Sequence, residues 1–185
     1  MKFLKFFIII FITLTTSIKA DLNKYLINQL EDGGKLIFIR HAYAPGNGDP
    51  NNFNLNDCST QRNLNSIGQK QAKDIGEFFR GNKIKIYKVL SSEWCRCKET
   101  ADIAFKDFSI NSFLNSFYSS KFEKNKERQV EELNNYVKKF KSNKNLIFVT
   151  HYVLISEVLN YGPSSGEIVV SDKNFNIVGT VEIDY

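Results

Sequence analysis

The chain has two histidines, and each follows a run of apolar residues. Leu36-Ile37-Phe38-Ile39 leads into Arg40-His41, and Leu146-Ile147-Phe148-Val149-Thr150 leads into His151. Imidazole is a competent covalent nucleophile and a proton carrier near neutral pH. Two more arginines stand in comparable places: Arg62, ahead of a helical pattern, and Arg96, within Ser91-Ser92-Glu93-Trp94-Cys95-Arg96. Brought together, these residues make a pocket of three guanidinium groups and two imidazoles with no acidic cluster beside it. Such a pocket suits a dianion, because the planar fork of arginine matches phosphate oxygens two at a time. Phosphoryl transfer mainly asks a protein to position the group and neutralise its equatorial oxygens. Arginines can do this, and no carboxylate set suited to a metal is evident, so no metal and no cofactor are expected.

These residues can meet only if the elements before them end at one place. Short apolar runs bounded by turn residues read as strands buried on both faces. In a parallel α/β sheet, sites form beyond the carboxyl ends of such strands. The pattern predicts a helix over Asp21–Leu30, a strand over Lys35–Ile39, and a loop over Ala44–Gln61 rich in Pro, Gly, Asn and Asp. A helix is expected over Ser66–Arg80, with Ser66 and Gln69 as a capping box and Ile67, Gln71, Ile75, Phe78 and Phe79 at helical spacing. A second strand is read over Ile84–Leu90 and a helix over Trp94–Phe105. Phe108–Phe117 reads as a short strand and loop, and Glu127–Phe140 as an amphipathic helix. A strand over Asn145–Thr150, a helix over Val153–Asn160, and a hairpin of Glu167–Ser171 with Asn176–Ile183 complete the chain. The predicted fold is a three-layer α/β/α sandwich with a mainly parallel central sheet and a C-terminal β-hairpin.

Residues 1–20 have the build of a secretory signal: Lys2 and Lys5, an apolar core over Phe6–Leu14, and Ile18-Lys19-Ala20 before Asp21. The apolar core is shorter than the roughly 20 residues a bilayer span requires. The other reading is an uncleaved amphipathic anchor. Lys2, Lys5 and Lys19 lie in this segment, so three of the five excess positive charges leave with it. The basic balance therefore lends no support to nucleic-acid binding. Residues 21–185 suit one domain, expected to be an exported or periplasmic monomer with a small phosphorylated substrate and no stable membrane partner. Three cysteines remain, Cys58, Cys95 and Cys97, which in an exported chain suggests one disulfide and one spare thiol. Cys95-x-Cys97 does not have the spacing of a usual zinc knuckle.

Four segments together resemble the histidine phosphatase superfamily, the phosphoglycerate mutase-like proteins. Arg40-His41-Ala42 is close to the family's Arg-His-Gly. Arg62-Asn63-Leu64-Asn65-Ser66-Ile67-Gly68-Gln69-Lys70-Gln71-Ala72 is similar to R-x-L-[TS]-x-x-G-x-x-Q-A. Ser91 to Ala101, with Arg96 and Thr100-Ala101, resembles S-x-x-x-R-[AC]-x-x-T-A, and Thr150-His151 resembles the late histidine. The resemblance spans most of residues 35–160. It implies that His41 is the nucleophile that becomes phosphohistidine, that Arg40 and Arg96 hold the phosphoryl oxygens, and that His151 donates to the same group. It implies that Arg62 lines the pocket; the other reading of Arg62 is a salt bridge to Asp57.

The general acid of the family has no counterpart here. Leu114-Asn115-Ser116 stands where the mutase-like branch has a glutamate, leaving Asn115 as a candidate substrate-binding residue. Tyr152 stands where the acid phosphatase branch has an aspartate. Asp49, Asp57 and Glu93 are candidates by elimination, unless a good leaving group needs no acid. Cys97 occupies the small-residue position of the family motif and is expected to pack inward. If Arg62 and Arg96 face one pocket, Cys58 and Cys95 are neighbours and are expected to pair; the other reading is three free thiols. The expected activity is metal-independent hydrolysis of a phosphomonoester, in the exported small-phosphatase branch. The rival from another class is a phosphate-ligand binding protein with the same fold. Phosphoglycerate mutase activity itself is not expected of an exported chain without the acid.

Overall fold

Two strands carry the histidines, and they lie side by side at the centre of the sheet. The computed structural model describes residues 24–185; the expected signal segment lies outside them. The six strands are β1 (Leu36–Arg40), β2 (Ile86–Ser91), β3 (Ser109–Ile110), β4 (Asn145–Thr150), β5 (Ile168–Ser171) and β6 (Ile177–Val181). They are ordered β3-β2-β4-β1-β5-β6. β1, β2, β3 and β4 run parallel, while β5 and β6 add an antiparallel hairpin beyond β1. In the β1–β4 ladder Arg40 pairs with Thr150, so His41 and His151 leave the sheet at the same level.

Side chains alternate across each strand. Ile37, Ile39, Ile147 and Val149 face one layer, which contains Leu26 and Leu30 of α1 (24–32), Ile75 and Phe79 of α2 (Ser66–Gly81), and Cys97, Ala101 and Ala104 of α3 (Cys95–Phe105). Leu36, Phe38, Leu146 and Phe148 face the other. There they pack on Leu133 and Val137 of α5 (Lys126–Lys139), on Leu154 and Leu159 of α6 (Tyr152–Leu159), and on the 3-10 turn Ser112–Leu114. Phe38 and Phe148 lie side by side on this face with ring centres 4.9 Å apart. A four-residue helix, α4 (Ser120–Glu123), lies beyond the range of a periodicity reading, since one turn has no period to detect.

Several local expectations change. The cap of α2 is Asn65, whose side chain accepts from the Gly68 N–H, in place of a Ser66–Gln69 box. Ile67 is exposed, and the inward position is taken by Gln71. β2 begins at Ile86, because Ile84 is still held to Phe79 O in the turn that ends α2.

Three motif residues build the floor under the strand ends. Thr100 Oγ1 accepts the Ala42 N–H at 3.0 Å, and Gln71 Oε1 accepts the Tyr43 N–H at 2.8 Å. A Cβ on Gly68 would run into the Tyr43 carbonyl oxygen, so only glycine lets α2 approach this backbone. The motif thus encodes the path of the chain after His41 as well as the chemistry.

Candidate active site

Beyond the ends of β1, β2 and β4 lies a cavity of about 520 Å³, bordered by Arg40, His41, Arg62, Arg96 and His151. The five residues come from separated segments and meet at one place. Arg40 and His41 end β1, Arg96 lies in the first turn of α3, His151 caps α6, and Arg62 closes the long loop.

Two partners set the tautomer of His41. Nδ1 lies 2.8 Å from the Ala42 carbonyl oxygen, which can only accept, so Nδ1 carries the proton. Nε2 accepts from Nε–H of Arg96 at 3.1 Å, so its lone pair points into the site. Burial and the adjoining Arg96 charge hold the pKa of His41 well below the usual histidine value. A neutral, desolvated imidazole is the form a nucleophile requires, and here its lone pair is held by Arg96.

His151 is set the opposite way. Asn115 Oδ1 accepts from the Glu93 N–H and from the Ser92 hydroxyl, at 2.9 and 3.0 Å. With its proton spent on Asn115, Ser92 Oγ accepts from His151 Nε2 at 2.9 Å. Nδ1 of His151 is then the lone pair of the neutral ring. Burial, then Arg96 and His41, depress this histidine too. The two rings stand edge to face with centres 5.5 Å apart.

Arg40 donates to the Pro163 carbonyl at 2.9 Å and lies over the Tyr152 ring, while its buried Nε has no partner among the described residues. Arg62 lines the cavity, but its guanidinium donates to the carbonyls of Gly48 and Ala44 rather than to Asp57, which is bonded to Ser59. Arg62 therefore borders the cavity as expected and also holds the loop. Asn115 stands elsewhere than a substrate-binding residue would. It does not border the cavity, and its amide is spent on Ser92 and Glu93, so it positions His151 through Ser92.

Asp49 faces all of this from the loop. Its Oδ1 takes Arg96 Nη1 at 2.7 Å and its Oδ2 takes Nη2 at 3.2 Å. Burial pushes its carboxyl up, but Arg96, with help from Trp94 and the Arg62 N–H, more than offsets this and leaves it below the usual carboxylate value. Sequence reading named Asp49 only by elimination, because a loop residue has no periodicity to betray its direction. The outer wall is aromatic: Phe53 stacks on Trp94 at 5.1 Å, and Phe122 meets both edge to face. Lys121 and Tyr118 stand at the rim.

Cys58 and Cys95 form a disulfide with Cα atoms 5.7 Å apart, joining the loop to the start of α3. Cys97 is free and buried beside His151, its thiol pushed up to about 12 by desolvation. Among the described residues no group of three or more His, Cys, Asp or Glu side chains gathers as a metal site.

A mainly parallel α/β sheet thus brings paired histidines and arginines together at adjoining strand ends. The family model of branch 1 of the histidine phosphatase superfamily matches residues 36–114. Solved structures share the fold over most of the chain. The product of open reading frame Rv3214 from Mycobacterium tuberculosis is 13% identical, with a TM-score of 0.57, over 81% of this chain and 96% of that one. Phosphoglycerate mutase from Thermus thermophilus is 15% identical, TM-score 0.54, over 81% and 99%. The protein histidine phosphatase SixA, complexed with tungstate, is 15% identical, TM-score 0.51, over 77% and 92%. No curated protein sequence matches at a significant level. Residues 36–114 are thus similar to the histidine phosphatase superfamily, and most of the chain shares the fold of these solved structures.

Proposed function

We propose that the chain is a metal-independent phosphatase that hydrolyses a phosphomonoester through a phosphohistidine on His41. The observation that carries this reading is the fixed tautomer of His41, with its Nε2 lone pair turned toward Arg96 inside the cavity. Nε2 attacks phosphorus in line, the ester oxygen leaves with its electron pair, and water then attacks the phosphohistidine to release phosphate. Arg96 and Arg40 neutralise the phosphoryl oxygens. His151 takes a proton on Nδ1 as the dianion arrives and donates to the same group, since a nearby anion favours the charged imidazole. The aromatic wall of Phe53, Trp94 and Phe122 suits a leaving group with a flat apolar part.

The disulfide and the signal-like residues 1–20 support a place outside the cytoplasm. The test is turnover of 4-nitrophenyl phosphate with rapid-quench trapping. Wild-type protein is expected to yield an acid-labile phosphoryl label that His41→Ala lacks. A His41→Ala protein with near-normal rate would overturn the covalent mechanism.

A further inference from the structure

Every guanidinium nitrogen of Arg96 is engaged by the protein itself. Nε donates to His41, while Nη1 and Nη2 hold the two oxygens of Asp49. Four of the five Arg96 N–H donors are in use, since Nη1 also donates to the Arg62 carbonyl, so a phosphoryl group at His41 Nε2 that takes more than one N–H of Arg96 must compete with Asp49, His41 or that carbonyl, and Asp49 holds two of the four. Asp49 is also the carboxylate that borders the cavity among the described residues. Glu93 is turned away onto Asn115, and Asp57 is spent on Ser59 in an exposed turn. Asp49 reaches Arg96 from the loop, with its side chain 18% exposed against 4% for the arginine, so the loop partner is the one free to give way.

We propose that Asp49 is the proton donor to the leaving group, and that the arriving phosphoryl group arms it by taking its place on Arg96. This rests on the phosphatase reading above. While paired, Asp49 stays ionised and cannot act as an acid. Displacement removes the guanidinium that held the proton off and sets a dianion beside the carboxylate; each change favours uptake of a proton from solvent as the substrate binds. The remaining charged and titratable groups around Asp49 are Arg62, Arg40, His41, His151, Lys121, Tyr118 and Tyr152, with the Cys97 thiol buried behind them. As the His41 Nε2–P bond forms and the P–O bond breaks, the Asp49 proton passes to the departing oxygen. The carboxylate then takes a proton from the water that attacks the phosphohistidine, which restores the acid and completes hydrolysis.

The experiment compares 4-nitrophenyl phosphate with phenyl phosphate, which share a shape and differ in leaving-group basicity, on wild type, Asp49→Asn and Asp49→Glu. Asp49→Asn is expected to slow phenyl phosphate by about 100-fold or more and 4-nitrophenyl phosphate by less than about tenfold. The basic limb of its phenyl phosphate pH profile should disappear, and Asp49→Glu should recover part of the phenyl phosphate rate. Inorganic phosphate, titrated as an inhibitor and by calorimetry, should bind Asp49→Asn more tightly because the internal competitor is gone. Equal slowing of both esters, or weaker phosphate binding, would overturn the proposal and leave Asp49 as a positioning residue for Arg96. Wild-type protein inactive on both esters would instead sink the phosphatase reading itself, and the donor role with it.

Discussion

Ser92 Oγ lies 2.9 Å from His151 Nε2, and its own proton is committed to Asn115. The acidless stretch around Asn115 thus acts on the site from behind, by engaging Nε2 of His151 through Ser92 and leaving Nδ1 as the position to be protonated. Ser92→Ala removes that acceptor. A single hydrogen bond of about 1 kcal/mol corresponds to roughly a fivefold fall in kcat. Histidine ¹⁵N shifts should show mixed tautomers for His151 and an unchanged His41; unaltered shifts would disconnect Ser92 from the tautomer.

The depressed histidines predict a definite pH response. Their folded values lie below the unfolded value near 6.5. Below about pH 6.5 the unfolded chain therefore binds more protons than the folded one, and folding weakens as pH falls through this window toward the folded values. Each histidine contributes a slope of up to about 1.4 kcal/mol per pH unit. Urea denaturation between pH 7.5 and 5 should show this loss. In the proposed mechanism neutral His41 is the attacking form, so the acid limb of kcat/KM should set in only below about pH 6.5.

Chelation should leave the rate unchanged. Guanidinium groups border the cavity where a metal enzyme would place carboxylates, and Asp49, the bordering carboxylate among the described residues, faces Arg96. A loss of activity with EDTA that zinc or magnesium restores would refute this.

Cys58→Ala should lower stability by about 2–4 kcal/mol, as expected when a link across 37 residues is lost. It should also raise KM. Gln61, which accepts the Cys95 N–H, and Arg62, which holds Gly48, lose their anchor with it. Thermal unfolding with and without reductant checks the first part, and steady-state kinetics the second.

Gly68→Ala should destabilise by about 1–3 kcal/mol, because the added methyl meets the Tyr43 carbonyl rather than a yielding side chain. Gly81→Ala, with open space around it, should not. Urea titration of the two variants side by side checks the contrast.

Much of the framework was legible because burial writes a period into the chain. Leu36 to Ile39 and Leu146 to Val149 are apolar on both faces, which marked the central strands and, with them, the histidine positions. Arg96 and Thr100 were legible through motif spacing. The loop was not. Nothing in the order of Pro, Gly, Asn and Asp says that Asp49 turns inward while Asp57 turns out, because those directions are set by partners remote in sequence, Arg96 and Trp94 for one and only local Ser59 for the other. The direction of Asn115 is hidden for the same reason: its place along the chain matches a catalytic position, while its side chain is aimed by Glu93 and Ser92.

The chain has one tryptophan, and its indole N–H is bonded to Asp49 at 3.0 Å while its ring lies edge-on to His151 at 5.2 Å. The site therefore contains its own optical reporter. Any event that moves the Asp49 loop or charges His151 changes the surroundings of a single assignable fluorophore. Its emission can be followed in stopped flow with unlabelled protein and unlabelled ligand, so the order of loop movement and chemistry can be timed directly.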